Sequence, residues 1–280
     1  MAGDPQFSLC PELAAIALKD FGETPEKRST ALDELRLRIA ALPAEDRLAD
    51  VSDANLIRFL RARKYDMDKA VASTTKFHKF CIKHQTAIGA QPGVPLKDLV
   101  LLCDKFLEVF RDGPAGKVYV VMRPALGIKK FTPELKKSNP RAMMQINFWM
   151  FDYLSKDPQA QIAGLCICNT FADLGFQGQM ALQNMAPMSD QTATFELFNI
   201  LGTRLKGAFI FEQPILMNVI WFLARPFMSK KIQDRFHLCG KDYDQLKTVC
   251  QDMSILPAYL GGTLADGYPN FIDGVVAKWQ

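Results

Sequence analysis

Residues 203–235 read TRLKGAFIFEQPILMNVIWFLARPFMSKKIQDR, and their pattern decides the fold. GAFIFEQP (207–214) is an apolar run ended by a proline, which predicts a buried strand. ILMNVIWFLA (215–224) follows at once and is the most apolar run in the chain. Its ten residues would span about 15 Å as a helix, half of a ~30 Å hydrocarbon core, so this segment is not expected to cross a membrane. A continuous apolar strand feeding a helix is the building unit of a parallel α/β sheet.

Working outward, the same alternation recurs. KVYVVMRP (117–124) is a strand following the turn residues Asp112, Gly113, Pro114 and Gly116, and AGLCICN (163–169) is another. Asn139, with Pro140 behind it, is expected to start a helix that carries Met144, Phe148 and Phe151 on one face. A further helix is expected from Pro187 through Phe195 and Phe198. Upstream the chain reads as helical. Leu32, Leu35, Leu37, Ile39 and Leu42 form a stripe closed by Pro43. Ser52 and Asp53 announce a second helix, and Asp66 a third with Met67, Val71, Thr74, Phe77 and Cys81 at helical spacing. IGAQPGVPLKD (88–98), with two prolines and two glycines, is expected to be a loop. The expected organisation is a helical domain over residues 1–90 and an α/β domain with a mostly parallel sheet over 91–280.

Composition narrows the function. At 280 residues, 49% hydrophobic and 23% charged, the chain can build a core without disulfide or metal staples. A net charge of +4 does not point to a nucleic-acid partner. Seven cysteines without framework spacing read as reduced thiols of a cytoplasmic protein. The opening MAGDPQFSLCPELAAIALKD, with Asp4 and Pro5, does not resemble an export signal. Phosphate-loop, H-E-x-x-H and G-x-S-x-G signatures are absent, and histidine occurs only as His78, His84 and His237. Cys166 and Cys168 should share one strand face; a metal would also need His237, Cys239 or Cys250, and buried thiols are the expectation. Neither an enzyme nor a cofactor is expected.

Charge is concentrated around the apolar run. Between Asn199 and Arg235 lie Arg204, Lys206, Arg225, Lys230, Lys231 and Arg235 against Glu212 and Asp234, an excess that equals the whole net charge. A short apolar helix next to basic residues suits reversible docking on anionic lipid, at about 1 kcal/mol per basic group. A buried core helix followed by a solvated basic turn would read the same way.

The stretch 203–264, with R-x-K-G before a strand, a proline after it, RPFMSKKI and LPAYLGG, resembles the C-terminal half of a CRAL-TRIO lipid-binding domain. DANLIRFLRARKYDMDKA (53–70) is similar to the helical domain that precedes it in that family, within a branch that carries tocopherol or retinaldehyde. The resemblance implies a sheet flooring an apolar pocket and a gate helix over about 212–224, with Ile215, Val219, Ile220, Phe222 and Leu223 as gate residues. Met144, Phe148, Phe151, Leu165, Ile167, Leu197, Leu201 and Leu205 become pocket candidates. Arg204, Lys206, Lys231 and Arg235 fall on a basic cleft that in this branch binds phosphoinositide head groups. Arg58, Arg61, Arg63 and Lys64 are expected to form salt bridges on a solvated face of the helical domain.

Two departures matter. Thr203 and Ile232 replace residues that the phosphatidylinositol-transfer branch keeps, and Asn169 or Thr170 stands where relatives often carry aspartate before a shorter loop than 171–186. The implied function is a cytoplasmic carrier, peripheral on anionic membranes, for one hydrophobic ligand of tocopherol, retinoid or carotenoid type. A phosphatidylinositol/phosphatidylcholine exchanger and a lipid-sensing regulatory adaptor are the alternatives.

Overall fold

Local chemistry sets the N-terminal helices. In the computed structural model, which describes residues 7–88, 96–183, 188–227 and 230–277, α1 (Pro11–Phe21) opens on a proline and ends on Gly22 at φ 62°. The expected domain boundary at residue 90 lies outside the described residues, as do the side chains of Phe195, Ile220, Lys231 and Ile232. Thr24 caps α2 (Pro25–Ala40) by accepting from the Lys27 amide. Leu32, Leu35 and Ile39 are buried, but Leu37 is 73% exposed and leaves the expected stripe. Two residues along a helix turn a side chain by about 200°, so Leu37 cannot share a face with Leu35.

Ser52 precedes α3 (Asp53–Ala62) without a side-chain capping bond, whereas Asp66 caps α4 (Met67–Lys83) through the Lys69 amide. After α5 (Gln85–Ile88), α6 (Leu96–Leu101) occupies the end of the stretch expected to be a loop.

Among the described residues the sheet has five strands in sequential order: β1 (Leu107–Arg111), β2 (Val118–Met122), β3 (Leu165–Thr170), β4 (Leu205–Phe211) and β5 (Phe236–Gly240). β1 pairs antiparallel with β2, and the other pairs are parallel. The sequence reading found β2, β3 and β4 and missed both edges. LEVFR and FHLCG break the apolar run with Glu108, Arg111 and His237. Glu108 is nevertheless buried, because the Tyr259 and Tyr268 hydroxyls donate to its carboxylate.

Helices α7 (Pro124–Lys130), α8 (Pro133–Ser138), α9 (Ala142–Lys156) and α10 (Pro158–Ile162) connect β2 to β3. Next, α11 (Phe176–Gln183) and α12 (Met188–Leu201) lead to β4, while α13 (Ile215–Ala224) and α14 (Lys230–Gln233) lead to β5; α15 (Phe271–Val276) lies near the C-terminus. The α9 helix starts at Ala142 rather than at Asn139. Asn139 is buried ahead of it, accepting from the Arg141 amide and donating to Gln145. The α11 helix occupies part of 171–186, which was expected to be loop.

Sequential strand order with right-handed crossovers places connecting helices on one sheet face. There Leu107 and Val120 join Met144, Met150, Phe151 and Leu197 in a core that also takes in Leu35, Leu56, Phe59 and Phe77 of the N-terminal helices. On the opposite face Tyr119, Val121, Cys166, Cys168, Phe209 and Phe211 pack against Leu246, Cys250, Leu256 and Leu260 of the C-terminal segment.

Arg58 and Arg61 tie the N-terminal helices to the rest. They are only 2% and 1% exposed, so the expected solvated face is replaced by buried ion pairs. Arg58 donates to Asp152 and Ser155 at 2.6 and 2.7 Å. Arg61 makes a two-pronged contact with Glu23 at 2.9 and 2.6 Å and donates to Gln161. Arg63 donates to the Ser73 hydroxyl and to the carbonyls of Asn199 and Ile200.

Candidate functional site

Parallel strands bring their entry residues to one edge of the sheet. Lys117, Arg204 and Arg235 each stand immediately before a strand, and Lys206 follows Arg204 across an irregularity in the β3–β4 register. Gly164 makes the tight approach possible: its φ is 94°, and a Cβ there would lie 2.6 Å from the Arg204 carbonyl oxygen and 2.7 Å from the Lys206 stem. The backbone at this edge is therefore drawn in by a residue without a side chain.

The cations are not equally available. One Arg204 nitrogen donates to the Ile162 carbonyl at 2.5 Å, the other to Asp20 of α1 at 2.8 Å, and the guanidinium lies 4.8 Å from the Phe21 ring centre. The Arg204 hydrogen bond holds the Asp20 carboxyl below its ordinary pKa. Arg235 donates to the Leu205 carbonyl at 2.5 Å. Lys206 is half-buried, and burial pulls its ammonium below its ordinary pKa, with Arg204 adding to the effect. Lys117 donates to the Val249 carbonyl. Lys117 and Lys206, with Asp20, Glu12 and Asp112, line a cleft of about 450 Å³. Asp20, Phe21 and Lys117 were missed by the sequence reading. Lys117 had a signal, a basic residue just ahead of a strand, but the contact of α1 with Arg204 spans 184 residues and had none.

At the opposite end of β4 the chain turns into α13. Glu212 sits at φ 48°, with its amide donating to the Gly240 carbonyl and its carboxylate accepting from the Tyr243 hydroxyl at 2.8 Å. On the helix, Met217 and Trp221 are one turn apart and face inward. Met217 packs with Ile210, Phe236 and Leu238, and Trp221 stacks on Phe236 at 4.2 Å. Ile215, Val219, Phe222 and Leu223 face outward, from 49% to 82% exposed. Four large apolar side chains on one helix face are an exposed patch of the kind that marks an interaction surface.

The pocket candidates separate into two groups. Met144, Phe148, Phe151, Leu197 and Leu201 belong to the core formed by α9 and α12. Leu165, Ile167 and Leu205 gather with Val118 and Ala160 near the strand entries. Phe148, Ile167 and Leu205 keep accessible surface, while the other five are buried. All seven cysteines are free thiols, and burial pushes those of Cys103 and Cys166 up to about 12.

Among the described residues, no helix is long and apolar enough to cross a membrane. The family model for the CRAL/TRIO domain matches residues 109–262, and that for the CRAL/TRIO N-terminal domain matches residues 28–73. Alpha-tocopherol transfer protein-like of Homo sapiens is 27% identical over 260 residues, spanning 92% of this chain and 72% of the relative. Clavesin-1 of Rattus norvegicus is 22% identical over 265 residues, spanning 92% of this chain and 70% of the relative. The crystal structure of Sfh5 superposes with a TM-score of 0.50 over 97% of each chain at 9% identity, a likeness of fold alone. With both of its modules matched in order, the chain belongs to the CRAL/TRIO lipid-binding family.

Proposed function

We propose that this chain is a non-enzymatic carrier that shields one hydrophobic ligand of tocopherol, retinoid or carotenoid type and exchanges it at phosphoinositide-containing membranes. The observation that carries the reading is α13, held to the sheet by Met217 and Trp221 while Ile215, Val219, Phe222 and Leu223 face outward. A helix with apolar residues on both sides can cover a ligand with one and enter the lipid interface with the other. The cations at the strand entries carry the phosphoinositide part of the proposal, although Glu12, Asp20 and Asp112 line the cleft beside Lys117 and Lys206. Lys206 brings a half-buried ammonium, Arg235 stands beside it, and Lys231 falls in the same segment. The similarity to an alpha-tocopherol transfer protein-like chain favours an isoprenoid ligand.

Transfer of α-tocopherol between vesicles, with and without phosphatidylinositol bisphosphate in the acceptor, tests the reading. Lys206→Ala is the sharper variant, since Arg204 also holds α1 through Asp20. Losing one basic group near the surface, worth about 1 kcal/mol, should cut phosphoinositide-stimulated transfer about fivefold and leave the Kd for tocopherol unchanged. Equal loss of binding and transfer in folded protein would refute the division of labour. Co-purified phospholipid would favour an exchanger, and an empty pocket across lipid classes an adaptor.

A further inference from the structure

Glu12, Ile16 and Asp20 follow one another at four-residue spacing, so they share one face of α1. All three line the cleft that Lys117 and Lys206 line from the sheet edge. Asp20 goes furthest. Its carboxylate accepts from Arg204 at 2.8 Å, and that bond holds its pKa down, with Lys206 and Lys64 adding to the effect. A carboxylate thus stands where an anionic oxygen of a docked head group would meet Arg204. The third acid of the cleft, Asp112, belongs to the turn between β1 and β2, where it accepts from the Gln251 amide.

The attachment of α1 is uneven. Leu13, Ala17 and Phe21 pack on Ile162 and Ala163, while Leu18 is 54% exposed. The C-terminal end is fixed: Lys27 donates to the Phe21 carbonyl at 2.8 Å, and Glu23 is held by Arg61 and Arg28. Between them Gly22 sits at φ 62°, in the left-handed region that glycine enters freely. Ahead of the helix the contacts are long, 3.8 Å from the Cys10 sulfur to the Pro114 carbonyl and 3.5 Å from Arg28 to the Phe7 carbonyl. We infer that α1 is an autoinhibitory arm: its acidic face occupies the cleft, and polyphosphate head groups gain Arg204 and Lys206 only by displacing it about Gly22. This rests on the phosphoinositide reading of the strand-entry cations and adds a regulator to it. A carboxylate with one charge gives way to phosphates with several, and the apparent Kd is the intrinsic one divided by the open fraction. Weakening the hold of Asp20 on Arg204 therefore tightens docking without any new contact.

The test titrates the full chain with phosphatidylcholine vesicles containing phosphatidylinositol bisphosphate and, separately, with soluble inositol trisphosphate. Asp20→Asn removes the charge and keeps the size. It should bind both probes about fivefold more tightly than wild-type protein, the upper worth of one partly exposed ion pair. Ala17→Glu is the sharper variant. Its added negative charge would by field alone weaken binding, but it wedges α1 off Ile162 and Ala163 and should tighten binding instead. Amide exchange over residues 11–21 should rise when inositol trisphosphate is added to wild-type protein, since the arm leaves as the head group enters. Asp20→Asn and the exchange measurement decide the matter if the glutamate protein does not fold. Unchanged or weaker binding by Asp20→Asn, or unchanged exchange in wild-type protein that binds the probe, would overturn the arm and leave the head-group reading standing. Tightening for vesicles alone would assign α1 to a general membrane contact and overturn competition at Arg204. Wild-type protein and variants that all ignore both probes would overturn the phosphoinositide reading and the arm with it.

Discussion

On one face of the sheet Tyr119, Val121, Cys166, Cys168, Phe209 and Phe211 are at most 1% exposed; on the other Val118, Val120, Leu165, Ala208 and Ile210 are buried as well, but Met122, Ile167, Asn169, Phe236 and Leu238 keep accessible surface. Sequential strand order sends the crossover helices to one side, where several separate elements share the cover. The opposite side is covered by the C-terminal segment, fixed by Lys117 and Tyr119 donating to the Val249 carbonyl at 2.7 and 2.9 Å. One face is thus covered by several separate helices and the other by a single C-terminal segment. The carrier proposed above would hold its cargo on the helical side.

Substitutions can break or sharpen this contrast. The largest effect is expected from Phe209→Ala on the sealed face, a loss of about 3–5 kcal/mol in urea unfolding, because the cavity cannot collapse. Ile167→Ala on the open face should cost about 1 kcal/mol, since the side chain has less burial to lose, and should lower affinity for whichever isoprenoid probe binds. Equal destabilisation by the two would erase the distinction between the faces. The smallest stability change is expected for Phe222→Ser on the outer face of α13, within about 0.5 kcal/mol. Its effect should appear in co-sedimentation with anionic vesicles, where binding should fall tenfold or more, as removal of a membrane-inserting aromatic side chain implies.

The central strands and the helices α3, α4 and α13 were legible because each is a local pattern: an apolar run, a capped start, or spacing by three and four. Leu37 was misplaced by counting hydrophobicity without its angle. The edge strands escaped because β1 hides a buried glutamate whose partners, Tyr259 and Tyr268, lie more than 150 residues away. Arg204, Lys206 and Arg235 could be named from the sequence, whereas Lys117 was missed. Their unequal engagement could not, since it depends on α1 supplying Asp20 and on Gly164 admitting the Arg204 backbone.

The contact between Asp20 and Arg204 also bears on biosynthesis. Helix α1 docks against Ile162, Ala163 and Arg204, and the last of these follows Asp20 by 184 residues. At about 5–20 residues per second, Asp20 precedes Arg204 by roughly 10–40 s. During that interval Leu13, Ala17 and Phe21 of α1 have no completed surface to cover them. Helix α1 is thus made well before the strand whose entry residue secures it, and its apolar face stays without its native cover until β4 is in place.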